Sequence, residues 1–121
     1  MNVYLNFRTS AGLVHAFKLF NPLAEQFDDA AGVYIVAASR PDNEFVPMYV
    51  GQCDSFKKDI PSNDRWCKAA LMGANCVLLS SVPLQADRSA LVEEMIAQLQ
   101  PPLNLAIGLT DSIERQLAEQ T

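Results

Sequence analysis

One histidine and three cysteines are all that the 121 residues offer of the side chains that most often bind transition metals. The histidine, His15, is far along the chain from Cys53, Cys67 and Cys76, and the cysteines are odd in number with no C-x-x-C pair. This spacing argues against a structural zinc site. Long apolar runs are missing too: none approaches the roughly 20 residues that span a bilayer, and Met1-Asn2-Val3-Tyr4 has neither the basic start nor the apolar stretch of a secretory signal. The expectation is a soluble, cytoplasmic protein with no membrane partner, its cysteines buried as small apolar residues. Cys53, beside a glycine turn, is the one thiol to test for reactivity. Positive charge is also scarce. Nine Lys and Arg stand against fourteen Asp and Glu, and the net charge of -5 is the wrong sign for a protein that lives on phosphate backbones.

What is present suffices for one core. Half the residues are hydrophobic and 19% are charged, which excludes a disordered tail, a collagen-like repeat and a low-complexity segment. A chain of this length makes about one domain, with no internal repeat or linker to split it.

Alternation opens the chain. Val3, Leu5 and Phe7 share one face, and a second alternating run from Leu13 to Leu19 follows the turn residues Arg8 to Gly12, so residues 1–20 read as a β-hairpin. Asn21-Pro22 ends it. The β-branched and aromatic run Gly32 to Ala37 reads as a central strand, and Phe45 to Val50, ending at Gly51, as its antiparallel neighbour. The period then changes to about 3.6. A short helix is expected within Asp54 to Ile60, broken by Pro61, and a second one, capped by Ser62 or Asn63, carries Trp66, Ala69, Ala70 and Leu71 to a stop at Gly73. Cys76 to Val82 reads as a further strand. From Asp87, an expected N-cap, the residues Leu91, Val92, Met95, Ile96 and Leu99 form one apolar stripe, with Glu93, Glu94 and Gln98 on the solvated side. Pro101-Pro102 ends that helix, and Asp111 with Glu114 has capping-box spacing for a terminal helix over 111–121.

Gly32-Val33-Tyr34 at the head of one strand, Tyr49-Val50-Gly51 at the end of the next and a helix closing on Pro101-Pro102-Leu103-Asn104 resemble the GIY-YIG nuclease superfamily, over residues 32–104. The resemblance implies an α+β fold, a small three-stranded antiparallel sheet flanked by helices. Here an N-terminal β-hairpin would be added to that unit or would extend the edge of its sheet. It also implies a hydrolytic site for phosphodiesters made of the two tyrosines, an arginine and often a histidine after the second glycine, and a metal-holding glutamate on the later helix. The metal would neutralise charge developing on the phosphate, and a tyrosine or a metal-assisted water would supply the base.

Carried over by position, Tyr34, Tyr49, Gly32, Gly51 and Asn104 match the motif. Asp59 falls where the arginine belongs, Asn63 where the histidine belongs, and Val92 where the glutamate belongs. Aspartate for arginine reverses a charge where a phosphate would sit: at about 4 Å and an effective dielectric near 20, roughly 4 kcal/mol of attraction becomes as much repulsion. Valine offers a metal nothing. A shift of one residue would bring in Glu93, but one helical residue is about 100° of rotation, and Glu93 lies off the apolar stripe. The only dense basic stretch, Lys57, Lys58, Arg65 and Lys68, is nearly cancelled by Asp54, Asp59 and Asp64.

Three readings follow. The leading one is a catalytically degenerate GIY-YIG domain that engages a protein partner, holds no cofactor, and is disfavoured for nucleic acid by its charge. The second is an active endonuclease dependent on magnesium or manganese, with a shifted site of Tyr34, Tyr49, Arg65 and Glu93. The third is a small-molecule or structural module that self-assembles through the hairpin edge.

Overall fold

A computed structural model describes residues 3–21, 26–42, 44–61 and 64–104, with the backbone alone for 64–67. The chain runs through β1 (Tyr4–Arg8), β2 (Val14–Phe20), β3 (Gly32–Ser39), β4 (Phe45–Cys53), α1 (Phe56–Asp59), α2 (Asp64–Leu71), β5 (Cys76–Ser81) and α3 (Gln85–Leu99). Ser62, Asn63, the side chains of Arg65, Trp66 and Cys67, and the expected helix over 111–121 with Asp111 and Glu114 lie outside the described residues.

The strands form one sheet in the order β1-β2-β5-β3-β4, every neighbouring pair antiparallel. This overturns the expectation of a small three-stranded sheet flanked by helices; of the two placements open to the hairpin, the structure has it inside the sheet, joined along β5. The molecule is a five-stranded antiparallel sheet curled into a half-barrel, with few helices. The physical reason is the ladder between β2 and β5, where Lys18, Leu19 and Phe20 pair with Leu79, Leu78 and Val77. The hairpin thereby shares both hydrogen bonds and core with the rest. The curl is visible in what the two edge strands touch. Four flat inter-strand steps of about 4.8 Å would hold β1 and β4 about 19 Å apart. Instead Leu5 and Phe7 of β1 and Phe45 and Pro47 of β4 line one small cavity together with residues of β2, β3 and β5.

Strand β3 is buried on both faces, as its β-branched run foretells, and its side chains alternate between two clusters. Val33, Ile35 and Ala37 enter the first, with Phe17, Val50, Leu78, Leu91 and Met95. Tyr34, Val36 and Ala38 enter the second, with Met48, Cys53, Phe56, Ile60, Ala69 and Val77. Helix α3 therefore covers one face of the sheet, while α1 and α2 supply side chains to the other. Between Val36 and Ala37 the register with β4 slips from Tyr49 to Pro47, leaving Met48 as the extra residue of a β-bulge. Met48 and Tyr49 consequently both serve the second cluster.

Element ends follow local chemistry. Ser55 caps α1, and Gly73, at φ +102°, stops the chain after α2. Asp87 was expected to cap α3, but Leu84 holds that position and Asp87 sits in the first turn, where its charge still favours the helix dipole. Gln100 ends α3 in the left-handed region at φ 47°, ahead of Pro101. The chain then passes from the first cluster to the second, into which Leu103 is packed.

Candidate functional site

The structure brings the two motif tyrosines together. Tyr34 of β3 and Tyr49 of β4 have ring centroids 6.0 Å apart, tilted by 48°. Tyr34 is only 3% exposed, whereas Tyr49 is half-buried. The glycines explain how the first ring fits. Tyr34 stands opposite Gly51 in the ladder, and a Cβ at Gly51 would lie 2.5 Å from both Cζ and Oη of Tyr34. The ring thus lies across the glycine of the neighbouring strand, a pairing that shields bare backbone. At Gly32 a Cβ would collide with the Ser80 carbonyl oxygen and with Phe56 Cζ, so this glycine lets α1 close on the sheet. Neither glycine has a positive φ; each is needed for close approach.

The other motif positions also have structural duties. Asn104 reaches the outer edge of β4, where its Oδ1 accepts from the Val50 amide at 2.8 Å and its Nδ2 donates to the Val50 carbonyl at 2.9 Å. One side-chain amide thereby does for Val50 what a further strand would do. Asp59 closes a cap. The Lys58 amide donates to Ser55 Oγ at 3.3 Å, and the Ser55 amide donates to Asp59 Oδ2 at 3.1 Å, a reciprocal arrangement akin to a capping box. The Ser55 hydroxyl in turn donates to Asp29 at 2.5 Å, which together with Lys58 and Lys57 holds the Asp29 carboxyl below its ordinary range.

Val92 does not join the tyrosines. It packs with Ile96 and Leu99 against the first cluster, whereas Tyr34 and Tyr49 belong to the cluster across the sheet. Glu93 is exposed on α3. Glu94 departs from the solvated role expected of it: half-buried, it accepts from the Ser10 amide in the turn between β1 and β2 and from Gln98 Nε2. Those bonds, chiefly from Ser10, lower its carboxyl pKa. Its function is to tether α3 to the hairpin. For Arg65 the backbone alone is described, on α2, and Asn63 lies outside the description.

No family model, no curated protein and no solved structure matches the chain. Function has to be read from the geometry itself.

One charged residue escaped the sequence reading. Arg88 in the first turn of α3 has a side chain only 5% exposed; its Nη1 donates to the carbonyls of Val82 and Pro83, and its Nη2 pairs with Asp54 at 2.8 Å. Its Nε has no hydrogen-bond partner among the described residues. The guanidinium thereby locks the β5–α3 connection to the turn after β4. A signal for it existed: Arg88 precedes Leu91, Val92 and Met95 by three, four and seven residues, so it lies on the buried stripe.

The two described thiols, Cys53 and Cys76, are quiet. Burial, reinforced by the Asp59 carboxylate, pushes Cys53 up to about 11, and burial also raises Cys76, whose Sγ donates to the Ala37 carbonyl. Cys53 is therefore protonated at neutral pH and a poor nucleophile. Among the described residues no group of three or more His, Cys, Asp or Glu is placed to hold a metal ion, and no helix is long and apolar enough to cross a membrane.

Proposed function

We propose that this chain is a binding domain that engages a protein partner, and that its tyrosine and glycine motif has been kept for the fold and not for hydrolysis. The observation that carries this reading is the division of labour across the sheet. Val92, at the position the resemblance gives to a metal-holding glutamate, packs against the core on one face, and the paired tyrosines pack on the other. Asp59, at the arginine position, spends its carboxylate on the cap of α1. Each matched residue has a packing or hydrogen-bonding task that makes no use of a phosphodiester. The net charge of -5 favours a basic protein surface over a nucleic acid. Tyr4, 55% exposed, and Val14, 52% exposed, give the hairpin apolar contact area on the outside of the sheet.

Incubation with plasmid, single-stranded DNA and RNA in magnesium or manganese tests the proposal. No cleavage is expected. Cleavage that disappears in both the Tyr49→Phe and the Glu93→Gln proteins would overturn it in favour of an endonuclease with a shifted site. A second reading rests on β1, an edge strand that carries Tyr4 outward: two copies could pair there, edge to edge. Light scattering decides between them, because a strictly monomeric chain at high concentration excludes self-assembly.

A further inference from the structure

We propose that the concave face of the half-barrel is a binding site for a small, uncharged, apolar molecule, about the size of one aromatic ring. The site is a cavity of about 140 Å³ on the α3 side of the sheet, open to solvent, with walls contributed by all five strands and by Leu99 at the end of α3. Phe7, Phe17 and Phe45 present aromatic surface, and Leu5, Pro47 and Leu99 complete the rim. The chemistry of the occupant follows from these walls. Among the described residues no ionisable side chain lines the cavity, and Asn6 is the one lining residue with a polar side chain. A charged ligand would lose its hydration without gaining a partner. Water is held weakly on such walls, because an ordered water takes two to four polar partners and these walls offer few. An apolar ring instead recovers the dispersion contacts that the unfilled walls forgo. The size also agrees, since an apolar cavity of about 150 Å³ admits benzene. The mouth of a curled sheet is a common place for such a pocket. The site is distinct from the tyrosine pair, which lies on the opposite face.

The test is titration of the intact protein with benzene, with indole and with benzoate as the charged analogue, followed by methyl and amide NMR and by the thermal midpoint. Saturable one-to-one shifts centred on Leu5, Ile35, Leu78 and Leu99, with a raised midpoint for benzene or indole and none for benzoate, are expected. Ala37→Leu, which fills the cavity from its floor, should weaken binding at least tenfold; if that protein does not fold, Leu99→Phe fills the cavity from the rim and must do the same. The proposal is overturned by an absence of saturable shifts at these residues, by benzoate binding as tightly as benzene, or by undiminished binding in a folded filled variant.

Discussion

A glycine opposite a tyrosine is the smallest unit on which the tyrosine pair depends. In Gly51→Ala the new methyl meets the Tyr34 ring, which is held in a packed cluster and has little room to swing. Overpacking of this kind costs about 1–3 kcal/mol. The same substitution in a Tyr34→Ala background should cost much less, so that urea denaturation gives a coupling of at least about 0.5 kcal/mol between the two positions. Simple additivity would mean that the ring and the glycine are not in contact. Cys53 supplies a titration at the same scale. Its folded pKa of about 11 lies above the ordinary 9.0, so between these values the unfolded chain has released a proton that the native chain retains. The Cys53 contribution is constant below pH 9 and is lost as the pH rises from about 9 to 11, a decline that Cys53→Ala should reduce in the same denaturation series. The residues that sequence reasoning placed well were those whose neighbours along the chain determine them: the stripe Leu91, Val92, Met95 and Ile96 follows from spacing alone. Arg88 on that same stripe was missed because its compensation comes from Asp54 and two loop carbonyls, remote or irregular partners with no local pattern.

Among the described residues the elements were legible in existence and order, and their ends were less so. Strand β4 was expected to stop at Gly51 but pairs as far as Cys53, because glycine there makes room for Tyr34 and does not turn the chain. The bulge at Met48 could not be seen either, since it arises from the register between two strands and not from either strand alone. Asn104 shows how one side chain completes an element. Its two bonds to Val50 occupy the outer edge of β4, and neutral hydrogen bonds contribute about 0.5–1.5 kcal/mol each. Asn104→Ala should therefore cost about 1–3 kcal/mol and speed hydrogen exchange most at the Val50 amide, with little change at Ile35 in the neighbouring strand. Uniform acceleration across β3 and β4 would show instead that Asn104 acts on the whole sheet and not as an edge clasp.

At the scale of the whole molecule the deciding contact is β2 on β5. The sequence shows a hairpin and a separate run of strands, and no local feature says that the two share a sheet; only the ladder from Lys18 to Phe20 against Leu79 to Val77 does. That pairing turns β5 from an edge into the middle strand and carries Phe17, 1% exposed, into the first cluster. The tether from Glu94 to Ser10 binds the hairpin turn to α3 as well. If the sheet is one cooperative unit, Phe17→Ala should cost about 3–5 kcal/mol, a large part of the roughly 5–15 kcal/mol that holds an average domain together. Removal of residues 1–20 should go further and abolish cooperative unfolding, because it uncovers the outer edge of β5 and the floor of the half-barrel together. The measurement is hydrogen exchange at Ile35 and Val36, beside β5. Were those amides to stay protected in the shortened chain, with a sharp denaturation transition, residues 32–104 would form a stable unit and the hairpin would be an appendage. Exchange at the unfolded rate would establish that the half-barrel is the smallest part of this molecule that folds.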